Sequence, residues 1–255
     1  MKTVARKYFL FLALLLAVTI SAGADTDPVL AKAATDPIFE RISVIGASVS
    51  AGFGAPRIAE TLQIALPAST VNDHAELAMF QDVMTIGKAQ IDATIKAKPT
   101  FVLAIDFLFW FAYIDSNKAG REMSLELGLA ELDRLDAPLA VGDLPDMRSA
   151  NPRMLPRRLV PSSTELEALN ARIKQWATCR KRTVLLSLSQ WSAPLQNGES
   201  IELVAGEVVP AKDLLFFDGL HLNQLGLWYM LDRTDRVLET KFKIAAETLS
   251  FVKPW

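Results

Sequence analysis

With 255 residues, 51% of them hydrophobic and 22% charged, the chain holds enough apolar side chain for one large domain with a real core. A formal net charge of −2 provides no basic field for nucleic acid or anionic membranes, and no nucleic-acid partner is expected. The single cysteine, Cys179, excludes an internal disulfide and argues against a metal cluster or thiol enzyme; it reads as a small buried apolar side chain.

In chain order, Lys2, Arg6 and Lys7 precede the apolar run Tyr8–Ile20, and Ser21-Ala22-Gly23-Ala24 follows. A basic start, a short apolar stretch and an Ala-x-Ala site spell a secretory signal peptide over residues 1–24, cleaved after Ala24. The run is shorter than the roughly 20 residues of a spanning helix, so a periplasmic or secreted protein without a stable membrane span is expected. Cleavage removes three positive charges and leaves the remainder more acidic. Residues 25–40 read as a linker and 41–255 as a single domain.

Within that domain, Ile42–Ile45, Phe101–Ile105, Pro138–Val141 and Thr183–Leu188 are short runs rich in Val, Ile and Leu, as strands buried on both faces require. Amphipathic segments lie between them. Ile58, Leu62, Ala65 and Leu66 share a helical face, as do Val83, Ile86 and Gln90 less clearly, and Ser162-Ser163-Thr164-Glu165 offers a capping box for a helix running through Trp176. The alternation predicts a mainly parallel sheet covered by helices. Asp143–Pro161 stands apart: it carries Pro145, Pro152, Pro156 and Pro161 with Arg148, Arg153, Arg157 and Arg158. Such a loop either borders a site or is a solvated crossover. "GESIELVAGEVVP", Gly198–Pro210, reads as a hairpin turning at Ala205-Gly206.

Two histidines limit the choice of general base. His74, in "VNDHAE", reads as a surface or loop residue. His221, in "FFDGLHLNQLG", follows Asp218 by three residues across an Asp-Gly turn, which can bring the carboxylate to the imidazole and fix its tautomer. Ser48, in "VIGASVSAGFG", follows the first strand among small residues that leave room for substrate; a serine hydroxyl becomes a nucleophile when such a base takes its proton. Gly46-Ala47-Ser48-Val49-Ser50 is not Gly-x-Ser-x-Gly, so the α/β-hydrolase elbow is not matched.

Together, Gly46-Ala47-Ser48 near the start, Asp218-Gly219-Leu220-His221 near the end, and Asn223 and Gly226 beyond it resemble the SGNH hydrolases, or GDSL esterases and lipases. The resemblance implies a flavodoxin-like three-layer α/β/α sandwich with a mainly parallel sheet, no metal or cofactor, and hydrolysis of a carboxylic ester through an acyl-enzyme on Ser48. His221 would be base and acid, and Asp218 the orienting carboxylate. The small-molecule, lipid or carbohydrate substrate would carry an acyl or acetyl group.

The family's middle blocks are altered. No glycine occurs over Val71–Glu76, and in "FVLAIDFLFWFAY" Ala104 and Asp106 stand where a glycine and an oxyanion-binding asparagine would stand. Gly46 and Asp106 are the candidates on the oxyanion side. An ionised Asp106 would repel the developing charge; it serves there only if held protonated, and otherwise as a buried acceptor for backbone N–H groups. Phe107, Phe109, Trp110, Phe111 and Tyr113 either wall an acyl pocket or belong to the core. The weakened middle blocks keep two further readings open: a catalytically weak or inactive envelope protein of this fold binding a glycan or protein partner, and an acyltransferase acting on polysaccharide.

Overall fold

The computed structural model describes residues 36–203 and 206–244. The leader expected over 1–24, most of the linker, and Ala205 of the hairpin turn lie outside the described residues. The linker expectation needs correction at its end. Pro37–Phe39 form a 3-10 turn capped by Asp36, and Phe39 is fully buried, edge-on against Phe101.

Five strands, β1 (Arg41–Val44), β2 (Thr70–Asp73), β3 (Phe101–Ala104), β4 (Leu139–Gly142) and β5 (Thr183–Leu186), form one sheet in the order β2-β1-β3-β4-β5. Every pair in it is parallel; Val44 lies opposite Leu103, and Leu103 opposite Ala140. Alternate side chains enter opposite layers. Val102, Ala104, Leu139 and Val141 pack under α2 (Val83–Ala97), α3 (Phe109–Tyr113), α4 (Lys118–Asp133) and α5 (Ser163–Cys179). Phe101, Leu103, Val184 and Leu186 pack under α1 (Ile58–Ala65) and α7 (Gln224–Phe242). The expected three-layer α/β/α architecture is therefore the observed one.

The capping box at the start of α5 is formed: the Ser162 hydroxyl accepts from the Glu165 N–H, and Glu165 accepts from the Ser162 N–H. Cys179 corrects the sequence reading. The buried stripe of α5 is Leu166, Leu169, Ile173, Trp176 and Ala177, and Cys179, at the last position, lies off it and is exposed. Beyond β5, α6 (Leu188–Asn197) leads into an antiparallel hairpin of β6 (Ser200–Glu202) and β7 (Val208–Pro210). The hairpin buries Ile201 with Leu195, Leu214 and Tyr229 in a third, smaller core that supports the start of α7.

Candidate active site

β1 ends at Val44, and the chain turns sharply at Gly46, where φ is +151°. A Cβ at this position would lie 2.1 Å from Asp106 Oδ1 and 2.6 Å from Ser50 Oγ, so only glycine fits. Gln90, buried on α2, secures the turn from the other side: it accepts from the Gly46 N–H (2.8 Å) and donates to the Gly46 carbonyl (2.9 Å).

Asp106, two residues past β3, holds the rest of the loop. Its Oδ1 accepts from the Ala47 N–H (3.0 Å) and the Ser50 hydroxyl (2.6 Å); its Oδ2 accepts from the N–H groups of Val49 (2.8 Å) and Ser50 (3.3 Å). Burial pushes the Asp106 carboxyl above its ordinary pKa, and these hydrogen bonds oppose the rise. Arg57 clamps the outer side, donating to the carbonyls of Ala51 (2.9 Å) and Ala75 (3.0 Å). Ser48 sits at the crest of this braced turn.

Asp218 and His221 arrive from the turn before α7. Gly219 takes φ +64°, letting the chain reverse so that the Leu220 and His221 N–H groups both reach Asp218 Oδ1, at 2.9 and 3.0 Å. Asp218 Oδ2 then lies 2.7 Å from His221 Nδ1, and His221 Nε2 lies 2.8 Å from Ser48 Oγ. Because the carboxylate only accepts, it places the proton on Nδ1 and leaves Nε2 free to accept the Ser48 proton. Burial alone would raise the Asp218 pKa, but the hydrogen bonds from His221 and Leu220 hold it below the usual carboxylate range. Phe53 packs its ring 4.3 Å from the imidazole, and the Asn151 N–H binds the Asp218 carbonyl at 2.9 Å, so both motifs are fixed from outside. Asn223 caps α7, accepting from the Gly226 N–H, and Gly226 lets the helix pass close under the Leu214 carbonyl.

On the oxyanion side, Asp106 takes the second of the two roles that the sequence left open, a buried acceptor for backbone N–H groups. Gly46 gives its N–H to Gln90, and Asp106 is an acceptor for four donors, so neither is a donor toward Ser48. The amides of the second block are also engaged: His74 with the Val44 carbonyl, Ala75 with Asp73, and Glu76 with the Gly46 carbonyl. The Ser48 N–H, between the two that Asp106 takes, donates to no group among the described residues. His74 lies in the loop after β2 and is half-buried; its Nε2 is buried without a partner among the described residues, and desolvation lowers its pKa.

An apolar recess of about 90 Å³ opens beside Ser48 and His221, several times the ~10–15 Å³ that one water needs. Its walls come mainly from Ile105, Met147, Leu188, Trp191, Leu195 and Leu220. Of the aromatic cluster, only Phe109 reaches it; Phe107, Phe111 and Tyr113 are fully buried core. Sequence reasoning missed Trp191 and Leu195 because Pro194, inside α6, reads as a helix breaker. Gln90 appeared only as a face of α2, with no sign that an amide would brace Gly46.

Among the described residues no group of side chains is arranged to hold a metal ion, and no helix is long and apolar enough to cross a membrane. No family model matches the sequence, and no curated protein matches it. Solved structures do. A presumed acylhydrolase from Bacteroides fragilis is similar over 82% of this chain and 88% of its own, with a TM-score of 0.51 at 11% identity. The psychrotrophic esterase EstA from Pseudoalteromonas sp. covers 80% of this chain and 100% of its own, with a TM-score of 0.49 at 16% identity. A carbohydrate esterase family 3 protein from Talaromyces cellulolyticus gives 80%, 99% and 0.49 at 14% identity. At such identities the likeness speaks to architecture alone, and what this chain shares with the acylhydrolase is a three-layer α/β/α sandwich around a parallel five-stranded sheet.

Proposed function

We propose that the protein is a serine hydrolase of the SGNH type, cleaving a carboxylic ester through an acyl-enzyme on Ser48. The observation that carries this reading is the unbroken relay of Ser48 Oγ, His221 Nε2, His221 Nδ1 and Asp218 Oδ2, with contacts of 2.8 and 2.7 Å. Ser48 Oγ attacks the ester carbonyl as its proton passes to His221 Nε2, and Asp218 stabilises the imidazolium. The tetrahedral intermediate collapses when His221 gives that proton to the leaving alkoxide. Water, activated by the same imidazole, then releases the acid. The Ser48 N–H is the donor left for the oxyanion, and the apolar recess suits a short acyl group. The leader expected at 1–24 would carry the domain out of the cytoplasm; exported protein beginning at Asp25 on N-terminal sequencing is the expected result, and an intact Met1 would refute it.

The shortage of oxyanion donors favours a second reading, a weak or inactive member of the fold that binds a glycan or protein partner, or one that transfers acyl groups to polysaccharide. Losing one such donor costs on the order of 10²–10³ in rate. A fluorophosphonate probe separates hydrolase or transferase from binding protein. Native protein should be labelled, and both Ser48→Ala and His221→Ala should abolish labelling. A folded native protein that takes no label would sink the serine-enzyme reading.

A further inference from the structure

The four-arginine loop finds no use in the ester chemistry, yet three of its arginines, Arg148, Arg157 and Arg158, converge on one recess. Arg121, on α4, forms the floor of a second recess, with Arg148, Arg157 and Arg158 around it and Ser116, Ser162 and Glu165 in its walls. Arg121 is 3% exposed. Its Nη1 reaches Glu165 Oε1 at 3.3 Å and its Nη2 the Arg158 carbonyl at 3.1 Å, but its Nε is buried with no acceptor among the described residues. A buried N–H without a partner is an unfavourable state that native proteins seldom keep. We propose that Arg121, Arg148, Arg157 and Arg158 form a binding site for a doubly charged oxyanion of the phosphate or sulfate class, separate from Ser48.

Charge and geometry agree. Among the described residues these four guanidinium groups pair with two carboxylates, Arg148 with Asp146 (2.6 Å) and Arg121 with Glu165, which also serves the Ser162 cap. Four cations against two carboxylates leave an excess that a dianion neutralises. Among the described residues Arg158 pairs with no carboxylate, and Arg157 donates to the Arg148 carbonyl, which draws the rim together. The recess also borders the start of α5, a 17-residue helix whose positive dipole end adds attraction. Guanidinium forks suit phosphate and sulfate because they donate two parallel hydrogen bonds to one tetrahedral group.

The recess shares a loop with the ester site. Met147, beside Arg148, lines the apolar recess, and Asn151 holds the Asp218 carbonyl. An ester whose alcohol part carries a phosphate or sulfate group could thus be gripped at both places, whereas a free ion would occupy the arginine site alone.

Calorimetric titration of the full protein with inorganic phosphate, at fixed sodium chloride, tests the site. Saturable binding is expected, weakened about tenfold or more in the Arg148→Ala/Arg158→Ala double variant, since two charge-assisted contacts are lost. The thermal midpoint in phosphate-free buffer checks that the variant folds; Arg158→Ala alone, which breaks no ion pair, serves if the double variant does not. Absence of saturable binding to native protein, or equal binding by native and variant, overturns the proposal. Two matched acyl esters, with and without phosphate on the alcohol, identify the source. A native preference for the phosphorylated ester that the variant loses assigns the anion to the substrate. Phosphate binding without that preference assigns it to a free ion.

Discussion

Four donors converge on the carboxylate of Asp106, and three of them are backbone N–H groups of the loop that carries Ser48. An asparagine can accept at one oxygen only, and its amide nitrogen would face at least one of those N–H groups. Leaving a buried donor unpaired costs about 1–3 kcal/mol. Asp106→Asn is therefore expected to lower unfolding stability by about 2–3 kcal/mol and to slow labelling of Ser48 as its turn loosens. Faster turnover in the variant would instead place this side chain at the oxyanion. Asp218→Asn keeps the shape of its turn but removes the acceptor that fixes the imidazole tautomer, and kcat should fall on the order of 10³–10⁴. Asp218 also ties acid stability to the site. Its folded pKa lies below the unfolded value of about 3.9, so its contribution is present above that pH and lost as pH falls through the lower folded value. Denaturation midpoints of Asp218→Asn should lose less across that interval than those of native protein; parallel curves would refute the assignment. Ser48, Asp218 and His221 were legible because each role needs one residue type at a short spacing. Asp106 was legible only as a pair of alternatives, oxyanion group or buried acceptor for backbone N–H groups, and it accepts from three such groups. Gln90 was not legible as a brace, because it meets Gly46 from 44 positions along the chain.

At the scale of elements, legibility followed burial. The four fully or largely buried strands stood out as apolar runs, whereas β2, "TVND" on the sheet edge, is exposed or half-buried throughout and carries polar residues at three of its four positions. α4 escaped notice for a different reason. Its buried stripe is Arg121, Ser124, Leu125, Gly128, Leu129 and Leu132, helical in spacing but polar or side-chain-free at three of the six positions. Arg121 faces the arginine recess, and Gly128 makes way for Phe111. A Cβ at Gly128 would stand 2.7 Å from the Phe111 ring, and one at Gly87 on α2 would stand 2.8 Å from its far edge, so the ring is wedged between two helix glycines. Alanine favours a helix over glycine by about 1 kcal/mol, but overpacking a rigid, fully buried ring costs about 1–3 kcal/mol. Gly128→Ala should therefore destabilise the protein despite improving helix propensity, with a lower urea midpoint and an unchanged slope. A raised midpoint would show that the ring can yield.

For the molecule as a whole, the strand order places the chemistry. The order reverses between β1 and β3, and the crevice at the C-terminal ends of such neighbouring strands is where open α/β sheets bind ligands. Ser48 leaves β1 there, Asp106 leaves β3 beside it, and His221 arrives from the far end of the chain. The recess next to them is likewise composite: Ile105 follows β3, Met147 belongs to the arginine loop, and Trp191 and Leu195 lie on α6, whose position depends on the hairpin core. Periodicity cannot announce a cavity assembled from segments so far apart, even where each segment is legible. If this recess takes the acyl group, each methylene that it buries contributes about 0.8 kcal/mol, close to fourfold in kcat/KM. Ser192 lines it from α6 and is only half-buried, so a larger side chain there fills the recess without intruding on a fully buried core position. In an acetyl-to-octanoyl ester series, native protein should gain with chain length until the recess is full. Ser192→Phe should move that optimum to shorter chains, with the loss appearing mainly in KM for the longer esters while acetyl turnover stays near the native rate. A length profile that the variant leaves unshifted would place the acyl group elsewhere and give this recess to the alcohol side of the ester.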